Sequence, residues 1–277
     1  MGTMEHDDEL RKFEAEGAPE LPVAVSEGYV EHDGARIWYS SHGEGVAVIL
    51  LHGGLGNAGN WGYQVPALTE KGYRAIVIDS RGHGRSTRDA RAYSYELMAS
   101  DVLAVMDALR IEKAALVGWG DGACVALTLA RQAAARVAGV LSFSCNMDPS
   151  GTKEFHPTPI VQRCFARHAV DYRRLSATPE EFTAFVEAVR LMMRTQPNWT
   201  AQELGEVGVP VTIVHSAHDE FIRWEHADYL GRVIPGAWIV LLDGVGHFAP
   251  LQRPEEFNAA MLRFMRRMVD YGRYRSL

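Results

Sequence analysis

The sequence has little of what a membrane-spanning, disulfide-stapled or nucleic-acid-binding chain needs. Its longest apolar run reaches only from Val46 to Leu51, far short of the roughly 20 residues that a bilayer-crossing helix requires, so no membrane partner is expected. Lys and Arg are scattered and the formal net charge is -7. Without a basic face to track phosphates, no nucleic acid is expected as a partner. Cysteine is scarce: Cys124, Cys145 and Cys164 are odd in number and form no C-x-x-C pair. With no stretch resembling a signal peptide, they are expected to be reduced thiols of a cytoplasmic protein. Repeats, low-complexity tracts and coiled-coil heptads are missing too. Apolar residues, in contrast, make up 47% of the 277 residues, enough to build one large domain or a domain carrying an insertion.

The opening Met1-Gly2-Thr3-Met4 reads as an added leader ahead of a second methionine. Residues from Glu5 to about Glu20 are charged, mostly acidic, and lack apolar periodicity. Residues 1–26 are therefore expected to be a mobile acidic extension. Tyr29 to His32, Asp33-Gly34 and Ala35 to Ser41 then read as a hairpin, because Asp-Gly supplies the positive φ angles of a tight turn. Continuous apolar runs follow at 46–51, 75–78, 114–117, 140–141, 211–214 and 238–242, as strands buried on both faces require. Helical stripes lie between them, such as Leu97, Met98, Val102, Val105, Met106 and Leu109. Another runs through Phe257, Met261, Leu262, Phe264 and Met265. Strands alternating with helices predict an α/β fold with a mostly parallel, doubly wound sheet.

The alternation fails between 147 and 205, where helical patterns stand without strands. Thr178-Pro179-Glu180-Glu181 reads as an N-cap and capping box opening a helix that carries Phe182, Phe185, Val189 and Met193. This stretch is expected to be a helical cap over the carboxyl ends of the strands, inserted into a core formed by 27–146 and 206–277.

The chemistry centres on Gly118-Trp119-Gly120-Asp121-Gly122, between a buried strand and a helix. Small residues two before and two after the central position permit a turn tight enough to thrust that position into a cleft. The helix N-terminus and the amide of Asp121 are aimed at the same spot. Yet the central residue, Gly120, has no side chain.

The segment resembles the Gly-x-Ser-x-Gly nucleophile elbow of the α/β-hydrolase superfamily, and other motifs support the resemblance in the expected order from about Tyr29 to Met268. Leu51-His52-Gly53-Gly54 is similar to the His-Gly loop of that family, which implies Gly54 as the second backbone donor of an oxyanion hole with Asp121. Asp79-Ser80-Arg81-Gly82-His83-Gly84-Arg85-Ser86 is similar to a structural turn, so His83 is left out of the catalytic set. The resemblance makes Asp219, after a late strand, the triad acid and His247, after the last strand, the triad base, with Gly120 at the nucleophile position. Asp148 is an alternative acid. Trp119, Phe248, Leu55 and Met193 are expected to contact substrate, and Trp61 and Met192 are further candidates for the pocket wall.

His215, His218, Asp219 and Glu220 can be read as metal ligands, but their directions match poorly and no other cluster converges with them. No metal is expected, and Glu220 is read as a solvated neighbour of Asp219. No cofactor is implied, because a triad carries its own acid and base. The implied activity is hydrolysis of a carboxylic ester, lactone or thioester through an acyl-serine. The ligand is a small molecule, and Phe165, Phe182, Phe185, Met193 and Trp199 in the cap point to apolar or aromatic character. C–C bond hydrolysis belongs to the same superfamily. Gly120 itself admits three explanations: an engineered Ser→Gly replacement, which the intact acid and base favour; a natural ligand-binding protein without chemistry; or another residue doing the work.

Overall fold

Asp33 and Gly34, at φ 43° and 81°, turn β1 (Ser26–His32) back antiparallel onto β2 (Ala35–His42). The apolar runs become β3 (Val46–Leu51), β4 (Tyr73–Ile78), β5 (Ala114–Trp119), β6 (Val137–Phe143), β7 (Val211–Ser216) and β8 (Trp238–Leu242). Together they form one eight-stranded sheet in the order β1-β2-β4-β3-β5-β6-β7-β8. From β4 to β8 every pairing is parallel, while β2 lies antiparallel to both its neighbours. The computed structural model describes residues 9–275.

The helices are α1 (Leu10–Glu16), α2 (Gln64–Thr69), α3 (Tyr95–Ala108), α4 (Asp121–Gln132), α5 (Pro159–Leu175), α6 (Phe182–Thr195), α7 (Ala201–Gly205), α8 (Trp224–Val233), α9 (Ala249–Gln252) and α10 (Pro254–Arg275). Strand periodicity divides β3 between two cores. Ile49 and Leu51 pack with Val102, Ala126 and Leu230 on one face of the sheet, whereas Val48 and Leu50 pack with Val65, Phe257 and Met261 on the other. Burial on both faces is the reason these strands read as unbroken apolar runs.

The Asp79–Ser86 turn is structural, as its resemblance implied. Asp79 accepts the Ala58 and Arg85 amides. Arg81, 1% exposed, forks onto Asp101 through Nε and Nη2 at 3.0 and 2.6 Å. His83 is buried against Phe185 and Tyr93, and burial first, then neighbouring His52, brings its pKa down to about 3.

Two expectations need correction. Residues 1–8 lie outside the described residues, but within the rest of the supposed mobile extension α1 is docked: its Leu10 and Phe13 are 0% and 3% exposed. Two apolar residues three apart suffice for one buried face of a short helix, and the surrounding charges hid that signal. In the cap, α5 opens on Thr158, whose hydroxyl accepts the Val161 amide, but Thr178 caps nothing. Its amide instead donates to Ser176 Oγ, a 3-10 turn occupies Pro179–Glu181, and α6 starts after it.

Candidate active site

At the end of β5 the backbone reverses through Gly120, at φ 54° and ψ -116°. Such a conformation strains a side-chain-bearing residue by about 1–3 kcal/mol and suits glycine. The turn is pinned because Gly120 N–H donates to Phe143 O while its carbonyl accepts from the Ala123 and Cys124 amides. The two flanking glycines are required for space. A Cβ on Gly118 would strike the backbone of Gly122 and Ala123, and one on Gly122 would strike the Leu51 carbonyl. Helix propensity alone favours Gly122→Ala by about 1 kcal/mol, but overpacking against rigid backbone costs more. The expected net loss is about 2 kcal/mol, read as a lowered urea midpoint; an unchanged midpoint would contradict this packing.

Position 120 is different, for the nearest atoms to a Cβ there, chain neighbours aside, are His247 Nε2 at 3.3 Å, His247 Cε1 at 3.6 Å and Gly53 Cα at 3.8 Å. His247 follows β8, and its Nδ1 lies 3.2 Å from both carboxylate oxygens of Asp219, which follows β7. Asp219 Oδ1 also accepts the Phe221 and Ile222 amides, each at 2.8 Å. Burial alone would raise the Asp219 pKa, but His247 and these hydrogen bonds outweigh it and hold the carboxylate well below its ordinary value. For His247, burial favours the neutral ring, yet Asp219, Glu220 and Asp121 together raise its pKa above 6.5.

Glu220 is not a solvated neighbour. Its Oε2 accepts the His247 amide at 2.6 Å, so it anchors the loop that carries the histidine, and burial raises its pKa. Asp148 belongs elsewhere, with Oδ2 3.6 Å from His226 Nδ1. His215 is buried with its ring 5.7 Å from Trp224, and among the described residues no three His, Cys, Asp or Glu groups come together in a metal-binding arrangement.

A cavity of about 390 Å³ opens on Gly120 and His247. Gly54, Leu55, Trp119, Asp121, Met193 and Phe248, all singled out from the sequence, lie in its wall. The Asp121 amide stands in the first turn of α4, where helical N–H groups have no partner within the helix. The Asp121 carboxyl accepts Tyr95 OH through Oδ1 at 2.8 Å. Its Oδ2 is buried without a partner among the described residues, and burial raises the pKa to about 6. Phe182, Phe185 and Trp199 do not reach the cavity. Phe185 stacks on Tyr172 in the core, and Trp199 lies under Arg131. Trp61 and Met192 are core residues as well. Phe165, one of the cap aromatics named from the sequence, lines the cavity from α5, whereas pattern reading missed His168 of α5 and Phe221 of the loop after Asp219, which line it too. They carry no motif; only the fold shows which side of each segment faces inward.

Comparisons with known proteins agree with this architecture. Residues 48–260 match the model of the "Alpha/beta hydrolase family". The chain is 28% identical over 284 residues to the dihydrolipoyllysine-residue acetyltransferase component of the acetoin cleaving system of Cupriavidus necator, covering 94% of this chain and 75% of that one. It is 27% identical to the serine hydrolase BPHL of Homo sapiens, covering 85% of each. Among solved structures it is similar to Est816, described as an N-acyl homoserine lactone degrading enzyme, at 29% identity and TM-score 0.67 over 86% of this chain and 100% of that one. The family match spans most of the sequence, with the sheet order and the elbow to support it: the chain belongs to the alpha/beta hydrolase family.

Proposed function

We propose that the cavity binds a carboxylic ester, or a related lactone or thioester, and that it is the site of an acyl-serine hydrolase whose nucleophile position is held by Gly120. The observation that carries this reading is the distance of 3.3 Å between His247 Nε2 and the place a Cβ on Gly120 would take. In this reading Asp219 orients His247, His247 is the base, and the Gly54 and Asp121 amides receive the oxyanion. Residues 147–205 cap the site. The aromatic wall of Trp119, Phe165, Phe221 and Phe248 supports an apolar or aromatic acyl or alcohol group. The serine-hydrolase and lactone-degrading relatives support the reaction class. With both partners of the dyad in place, Gly120 reads as a deliberate replacement of serine that closes the covalent route. The buried thiols Cys124, Cys145 and Cys164, none of them in a disulfide among the described residues, support a reducing, cytoplasmic setting. No cofactor enters the scheme.

Treating the Gly120→Ser protein with a fluorophosphonate probe tests the assignment. The adduct is expected on the peptide containing position 120 and nowhere in the parent chain. Labelling of both proteins alike, or of neither, would remove the basis for an acyl-serine site.

A further inference from the structure

We propose that the chain as it stands, with glycine at 120, hydrolyses activated esters and lactones in a single displacement. Water attacks the carbonyl directly with His247 as its base. The inference rests on the ester-binding reading above and goes beyond it, because that reading closes the covalent route and leaves the His247–Asp219 dyad without a task.

The geometry points this way for two reasons. First, glycine leaves the position that a side-chain Cβ would take open to a small nucleophile such as water. The nearest neighbours of that position are His247 Nε2 at 3.3 Å and Gly53 Cα at 3.8 Å. The imidazole nitrogen gives a water molecule there an acceptor for its proton. Second, Nε2 is the free nitrogen of the ring, since Nδ1 is committed to Asp219 at 3.2 Å. That commitment places the lone pair on Nε2 in the neutral ring, toward position 120.

The step balances without a co-reactant. The water oxygen bonds to the carbonyl carbon while one water proton passes to Nε2. The carbonyl electron pair moves to oxygen, where the Gly54 and Asp121 amides receive it. When the intermediate collapses, the bond to the leaving oxygen breaks and the imidazolium returns its proton to the departing alkoxide. Acid and alcohol leave, and nothing is oxidised or reduced. Methanol is the deleted serine side chain plus one hydrogen, so it fits the same space and yields a methyl ester by the same path.

The rate follows the neutral form of His247. Burial favours that form, whereas Asp219, Glu220 and Asp121 oppose it and hold the pKa above 6.5. Lys153, bonded to the Asp219 carbonyl, buried His215, and the cavity-lining His168, Arg190 and Arg194 are further cationic or titratable groups nearby. Activity is therefore expected to climb with pH through an inflection raised from the ordinary imidazole value.

The experiment uses the purified full chain and p-nitrophenyl acetate. Turnover is expected at about 10³-fold above the uncatalysed reaction, without a burst and unaffected by prior fluorophosphonate. His247→Gln is expected to remove about 10²-fold of it, and added methanol to divert product to methyl acetate, detected by NMR. A parent rate no higher than that of folded His247→Gln overturns the proposal. So does a rate abolished by fluorophosphonate, which marks a contaminating serine enzyme, or an acetyl group recovered on His247. If Gly120→Ser shows a burst while the parent chain is silent, the water route falls and the acyl-serine reading stands. If neither turns over, both fall.

Discussion

Replacing Gly120 by serine is expected to raise kcat for p-nitrophenyl acetate by about 10⁴-fold or more over the parent chain, with a burst of p-nitrophenolate equal to the enzyme present. The size of the effect follows from what the hydroxyl restores. A nucleophile fixed on the protein replaces a mobile water, and one hard step becomes two easier ones. In the proposed reading the base is already adjacent, since the added Cβ would meet His247 at 3.3 Å, with the next residue at 3.8 Å. A contact of that length asks His247, seated among Phe221, Phe248 and Trp119, to yield by a few tenths of an ångström. Stability is expected to move the other way. A φ of 54° penalises serine by about 1–3 kcal/mol, visible as a lower urea midpoint of the more active protein. A folded Gly120→Ser protein without a burst would mean that the cavity does not present an ester carbonyl to position 120.

In that serine background, Asp219→Asn is expected to reduce kcat near neutral pH by about 10⁴-fold. Asp219 Oδ1 is held by the Phe221 and Ile222 amides, so an asparagine settles with its oxygen there. Its NH₂ then faces His247 Nδ1. A ring nitrogen facing a donor must be the acceptor, which forces the hydrogen onto Nε2, and the base cannot take the proton of the serine. Pre-steady-state acylation rates measure the loss. A reduction below about tenfold would shift the acid role away from Asp219, and because Asp148 sits on His226, no carboxylate predicted from the sequence would remain to take it.

The sheet was legible because parallel strands covered on both faces leave runs of apolar residues that no exposed segment imitates, as in 46–51 and 211–214. The elbow was legible for a different reason: Gly118 and Gly122 are forced by backbone collision, so the pattern survives even when the residue between them is silent. Asp219 and His247 could be placed because each follows a strand end in the order that the resemblance implies. The cavity wall was not. Phe165 faces inward and Phe182 does not, although both are phenylalanines at helical spacing in the cap, and the difference arises only when α5 and α6 pack. Glu220 was misjudged because its neighbour explained the local charge, while its actual partner, the His247 amide, lies 27 residues away along the chain. The α1 helix was lost among charges because two buried side chains suffice to dock about two turns of helix.

The open face of Gly120 also bears on how this protein can change by inheritance. Codons GGU and GGC for glycine differ from AGU and AGC for serine by a single transition. The neighbouring glycines have no such latitude, since any larger residue there collides with main chain. Where the gene uses one of those codons, the glycine and serine forms of the elbow stand one nucleotide apart, while a larger residue at Gly118 or Gly122 costs stability.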